Sequence, residues 1–93
     1  MINSFRDKET KKIFSGEFSK KFPADIQPRA LYRLEMLTNA ANIDDLKVPQ
    51  SNHLEALGGD RLGQFSIRVN DKYRVCFEWI NNCAENVELV DYH

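Results

Sequence analysis

Residues 64–79 read QFSIRVNDKYRVCFEW. Apolar side chains fall at every second position, first Phe65, Ile67 and Val69, then Tyr73, Val75, Phe77 and Trp79. A period of two is the pattern of a half-buried strand, so the stretch predicts two strands joined by a polar turn. The turn length follows from the buried face. A two-residue loop at Asn70-Asp71 sets Val69 against Lys72 and Ile67 against Arg74, which mixes charge into the apolar face. A three-residue loop, Asn70-Asp71-Lys72, sets Val69 against Tyr73, Ile67 against Val75 and Phe65 against Phe77. A one-residue slip inverts every side chain, so burial selects the three-residue loop, with Asn or Asp tolerating a left-handed position in it.

That register puts Arg68 directly across from Arg74 on the other face, with Gln64, Ser66, Cys76 and Glu78 around them. Like charges opposed across strands are unfavourable, where a matched pair contributes roughly 0.2–1 kcal/mol. Two guanidinium groups side by side form a fork suited to phosphate oxygens. The plainer alternative is that both side chains splay into water, or that Glu78 or Asp91 neutralises one of them.

Downstream, NVELV (residues 86–90) reads as a last strand after a turn in NNCAEN, and the chain closes on Asp91, Tyr92 and His93. Chain ends are usually frayed and solvated. If this strand pairs beside the hairpin, the three residues arrive at one edge of the arginine face. Val87 and Leu89 suggest a phase that puts Tyr92 with the arginines, and a bulge or the end of the strand would shift it.

Upstream, MINSF (residues 1–5) reads as a short strand and RDKETKKIFSG (residues 6–16) as a helix, capped by Asp7, anchored by Ile13 and Phe14 and stopped at Gly16. A second helix is expected from about Ile26 to about Ala41, with Asp25 as its cap and Pro28 in its first turn. Ile26, Ala30, Leu34, Leu37 and Ala41 form its apolar stripe, with Leu31 beside it. Residues 42–52 read as irregular and HLEAL (residues 53–57) as a short strand. GGDRLG (residues 58–63) is a glycine-rich turn without the Walker pattern. Helices followed by strands argue for an α+β domain, two N-terminal helices packed on one face of a mostly antiparallel, twisted sheet of about four to five strands.

The 93 residues allow one compact domain spanning 1–93. No apolar run approaches a membrane span and no signal-type segment opens the sequence, so a cytoplasmic protein with no membrane role is expected. Cys76 and Cys83 lack CxxC spacing and suit a reducing compartment. His53 and His93 lack metal-ligand spacing, and no metal or other cofactor is expected. Net charge is −1, which gives no global argument for nucleic acid. Its distribution is uneven: Arg6, Lys8, Lys11, Lys12, Lys20, Lys21, Arg29 and Arg33 lie in residues 1–33 against four acids. Such an excess suggests an anionic partner on that side, or simply a solvated helix face.

The stretch NHLEALGGDRLGQFSIRVNDKYRVCFEW (residues 52–79), with the terminal DYH and the element order, resembles the HigB toxins of the RelE/ParE superfamily over nearly the whole chain. The resemblance implies a compact RelE-like domain and a ribosome-dependent endoribonuclease that cleaves messenger RNA in the A site of the 30S subunit. It also implies a HigA-type helix-turn-helix antitoxin as partner, with operator DNA bound only through that antitoxin. Site residues carried over are Arg68, Arg74, Asp91, Tyr92 and His93 as catalytic, and Arg61 and His53 as RNA- or phosphate-binding. Many relatives carry lysine before Gly-Asp-Arg, where this chain has Gly58; the departure implies a weakened enzyme.

Metal-independent RNA cleavage needs a base for the ribose 2′-OH, charge stabilisation on the phosphorane and an acid for the 5′-oxygen. His93 has a suitable proton affinity. Asp91 could orient an imidazole or act as base, and Tyr92 could donate a proton or stack on a nucleobase. Arg68 and Arg74 would stabilise the phosphorane. Two competing expectations are a gyrase-directed toxin of the ParE branch and a module that only binds its repressor.

Overall fold

The computed structural model describes residues 1–92. Its sheet has four antiparallel strands in the order β1 (Glu55–Ala56), β2 (Gln64–Arg68), β3 (Tyr73–Ile80) and β4 (Cys83–Asp91). Helices α1 (Lys8–Phe14) and α2 (Gln27–Asn39) pack together on one face.

The β2–β3 register is the one that burial selects: Phe65 opposes Phe77, Ile67 opposes Val75, and Arg68 opposes Arg74. Ile67, Val75 and Phe77 are fully buried. The loop is closed by Val69 N–H donating to the Tyr73 carbonyl at 2.9 Å. No residue of the loop is left-handed. Instead the Asn70 Oδ1 accepts from the Lys72 and Tyr73 amides at 2.9 and 2.7 Å, so a side chain does the turning.

Left-handed asparagines appear one hairpin later. Ile80 pairs with Cys83 across Asn81 and Asn82, whose φ values are 52° and 61°. Two such residues make the tight turn that matches strand twist, so β4 begins earlier than residue 86. A third, Asn86 (φ 53°), sits in a bulge where the β3–β4 register shifts between Cys76 and Glu78.

The bulge explains why MINSF is not a continuous strand. The segment runs parallel to β4 and bridges it at Ile2–Ala84 and Phe5–Val87. Between the bridges, Ser4 Oγ donates to Glu85 at 2.8 Å and accepts from the Asn86 amide at 2.8 Å, and the Asn3 side-chain amide donates to Glu85 at 3.0 Å.

Asp7 caps α1 by accepting from the Thr10 amide at 3.2 Å, and Gly16 (φ 83°) follows the helix in the left-handed region. Asp25 does not cap α2; it lies in a 3₁₀ turn, Ala24–Ile26, that leads directly into the helix. Pro28 occupies the first turn of α2. Ala30, Leu34 and Leu37 are buried under the sheet, but α2 stops at Asn39 and Ala41 is exposed. The chain leaves the helix there because Asn42 and Asp45 form a capping box for a new 3₁₀ turn, Ile43–Lys47. Buried Gln27 fastens the connector before α2: Oε1 accepts from the Ser19 amide, and Nε2 donates to the Ser19 and Phe22 carbonyls.

Hydrogen bonds from Ser4 first, then Asn3, hold the Glu85 carboxyl below the usual carboxylate range. A depressed value in the folded state means stability that is present above the unfolded pKa (~4.3) and lost as pH falls through the folded one. The urea midpoint of Glu85→Gln should therefore lie below that of the wild type at pH 7, and the gap should close on acidification. A gap that stays constant from neutral to acid pH would contradict this anchoring role.

Candidate active site

The polar face of the sheet is organised around Arg74, which keeps only 9% of its surface exposed. Its Nε donates to Ser66 Oγ at 2.7 Å. One terminal nitrogen donates to the His53 carbonyl, and the other lies 3.7 Å from Glu55, beyond hydrogen-bond distance. The side chain thus reaches from β3 across β2 to β1. Ser66 is fully buried, and His53 is left-handed (φ 42°) at the end of a 3₁₀ turn, Gln50–Asn52. His53 is therefore placed at the site by its carbonyl, while its residue surface is exposed.

Tyr92 stands over this guanidinium, with 5.9 Å from the ring centroid to Cζ, a cation–π distance. The phase read from Val87 and Leu89 holds: both are buried on the core face and Tyr92 falls on the other. Asp91 follows the core-face phase instead. It opposes Tyr73, and its carboxylate lies 3.5 Å from Lys72 Nζ. The Tyr92 amide donates to the Lys72 carbonyl at 2.8 Å, so Lys72 fastens the tail through both groups. His93 lies outside the described residues.

The expected fork of Arg68 and Arg74 is not built. Their Cα positions are paired, but the guanidiniums part. Arg68 bends back to its own loop, donating to the Asn70 carbonyl at 3.2 Å and to Asp71. It lines a cavity with Arg29, Tyr32 and Arg33 instead. The divergence relieves the like-charge opposition that the register imposes.

Arg61 sits on the polar face, donating to Glu88 at 2.8 Å and Gln64 at 3.0 Å. The Glu88 hydrogen bond raises its pKa above the ordinary guanidinium value. Glu88 also faces Arg6 at 3.4 Å, so one carboxylate serves two cations. Cys76 opposes Glu88 and is fully buried, which pushes its thiol pKa up. It is a packed side chain and no nucleophile.

Sequence reasoning passed over Arg29 and Arg33 except as part of the basic N-terminal third. Arg33 donates to Asn52 Oδ1, and buried Asn52 donates onward to the Leu46 carbonyl at 3.1 Å. Burial first, then the charges of Arg29 and Arg68, lowers the pKa of Arg33. Only that basic excess could have flagged these residues.

Fold and polar face together define a small α+β protein that holds a locked cation beneath an aromatic ring at its C-terminal end. Residues 3–93 match a family described as the RelE-like toxin of the type II toxin–antitoxin system HigB. Toxin HigB-1 of Vibrio cholerae is 33% identical over 90 residues, covering 96% of this chain and 95% of that protein. A Proteus vulgaris protein named endoribonuclease HigB is 36% identical over 93 residues and all of both chains. The chain belongs to the HigB-like family of RelE-like toxins. Its fold is shared by a YoeB–YefM toxin–antitoxin complex of Staphylococcus aureus (TM-score 0.61, 16% identity, 100% of this chain and 98% of that one). It is shared too by a mutant of YafQ from E. coli (TM-score 0.56, 12% identity, 94% and 91%).

Ser66→Ala should destabilise the fold by about 1.5–3 kcal/mol, the range for a hydrogen bond to a charged group, because it leaves the Arg74 Nε–H buried without its acceptor. Urea denaturation checks this; a loss below about 0.5 kcal/mol would mean that Ser66 does not hold the arginine.

Proposed function

We propose that this protein is the toxin of a type II toxin–antitoxin pair and an endoribonuclease that cuts messenger RNA on the ribosome. Arg74 carries the reading: a cation fixed by Ser66 and the His53 carbonyl beneath the Tyr92 ring, in a chain of the HigB-like family. The relative from Proteus vulgaris is named an endoribonuclease, which supports the cleavage chemistry.

In the proposed reaction the ribose 2′-oxygen attacks the adjacent phosphorus. A new P–O bond forms, the bond to the 5′-oxygen breaks, and the products are a 2′,3′-cyclic phosphate and a 5′-hydroxyl. Arg74 neutralises the charge that builds on the phosphorane. Its side chain is already ordered, so no reorganisation is needed as that charge appears. Glu55, about half exposed, is the group that an entering phosphate displaces. Tyr92 stacks on a base beside the scissile phosphate. Proton transfer falls to Tyr92 and His93. Asp91 acts through Lys72 by fixing the tail that carries them. No metal takes part in this scheme. Arg61 and the backbone of His53 border the RNA path.

The ribosomal A site supplies the messenger, so the target compartment is the cytoplasm. A HigA-type helix-turn-helix antitoxin neutralises the toxin and carries the pair to operator DNA.

Arg74→Ala should lower messenger cleavage by about 10²–10³-fold and abolish growth arrest, while Arg74→Lys, which keeps charge without the fork, falls between. Mapping of 5′ ends after induction should show 5′-hydroxyl cuts within translated codons, lost when ribosomes are withheld. Growth arrest without such cuts would favour a protein target of the gyrase type. Wild-type cleavage by Arg74→Ala would refute the assignment.

Gly58 offers a second check. Its backbone is extended (φ −122°) and a Cβ there would meet nothing within 4 Å. Gly58→Lys should fold as well as the wild type and raise messenger cleavage in the same assay; unchanged or reduced cleavage would mean that a cation here has no part in the reaction.

A further inference from the structure

A cavity of about 430 Å³ opens between α2 and the β2–β3 loop, lined by Arg29, Tyr32, Arg33, Ser51, Arg68 and Asp71 among others. Arg74 and Tyr92 are not part of its wall. Three guanidiniums share one concavity here, and Asp71 is the acid among its described lining residues. That acid extends from a loop, with 96% of its side chain exposed, and is engaged by Arg68. Arg33 is held in place: Asn52, fully buried, accepts from one terminal nitrogen, Ser51 lies 3.4 Å from the other, and Tyr32 lies beneath the guanidinium at 5.5 Å.

Burial and the neighbouring charges of Arg29 and Arg68 disfavour the charged form of Arg33, and an anion entering the concavity relieves that cost. Planar guanidiniums arranged around one space suit the oxygens of a phosphodiester. Arg68 also ties this cavity to the Arg74 site, because the two residues are Cα partners on adjacent strands.

We propose that this cavity is a second phosphate site, in which Arg29, Arg33 and Arg68 grip the RNA backbone away from the phosphate that reacts at Arg74. The proposal rests on the ribonuclease reading and deepens it: Arg74 sets the rate, and the arginine cavity sets the hold on RNA. Asp71 is the built-in competitor, occupying Arg68 until the backbone displaces it.

The test uses the full chain and a fluorescent 2′-O-methyl oligoribonucleotide, which lacks the attacking hydroxyl and is bound but never cut. Binding is measured over a range of salt. Arg29→Ala should weaken binding and flatten the salt dependence by about 0.7 in slope for each phosphate no longer neutralised. Arg33→Gln should do the same, with a urea melt confirming that the variant is folded. Asp71→Asn, at an exposed site, should shift binding the opposite way and tighten it. A parallel arm with vacant small ribosomal subunits identifies the source of the phosphate. Arginine dependence with the oligonucleotide assigns messenger; dependence with the subunits alone assigns ribosomal RNA. The inference is overturned if the variants match the wild type in both arms, or if an oligoglutamate peptide binds with the same arginine dependence and RNA does not. Because the probe cannot be cleaved, a protein that binds it through these arginines but cuts no messenger would sink the nuclease reading alone. Normal cutting with unchanged binding would sink this inference alone.

Discussion

A buried guanidinium is the constraint around which the polar half of this molecule is arranged. Taking an arginine almost wholly out of water is expensive unless its donors are met. Arg74 is met by a hydroxyl from the neighbouring strand and a carbonyl from beyond it. The carbonyl is presented by a left-handed histidine, which closes the turn Gln50–Asn52 just before β1. The short strand Glu55–Ala56 then pairs with β2 at Ser66 and Phe65. Loss of the β2–β3 register would move Ser66 to the core face and leave the arginine without its acceptor. Apolar packing on one side of the sheet therefore decides the electrostatics of the other.

The same register creates a problem that the structure resolves by separation. Arg68 and Arg74 face one another at the level of the backbone, and each guanidinium goes elsewhere. One crosses the sheet to β1, and the other folds back to its loop and joins Arg29 and Arg33. Instead of one doubled site there are two cationic sites flanking one hairpin. Such spacing suits an extended polyanion better than a single small phosphate.

Much of this was legible in the sequence because alternation is a strong signal. The pattern of Phe65, Ile67, Val69, Tyr73, Val75 and Phe77 was enough to choose the loop length, while Val87 with Leu89 only suggested the phase of Tyr92, which the bulge in β4 could have shifted. The Asp7 cap and the Gly16 stop followed from local chemistry that tertiary contacts do not overrule. Other features were hidden because they depend on contacts distant in sequence. The bulge at Asn86 is tied to Ser4, more than eighty residues away. It interrupts what looked like a plain N-terminal strand. The pairing of Asp91 with Lys72 follows from strand alternation and the hairpin register, not from its neighbours in sequence. Arg33 lies on a helix whose apolar stripe says nothing about its polar side, and its position is set by Asn52 from another segment. The basic excess of the first third was visible; that Arg29 and Arg33 converge with Arg68 was not.

The account is tested most directly by the structure of this protein on a ribosome whose A-site messenger carries a 2′-O-methyl group at the cleavage position. It predicts a messenger phosphate oxygen within hydrogen-bond reach of Arg74, about 3 Å, with the Tyr92 ring against an adjoining base. A messenger whose phosphates pass the sheet without approaching Arg74 would contradict it.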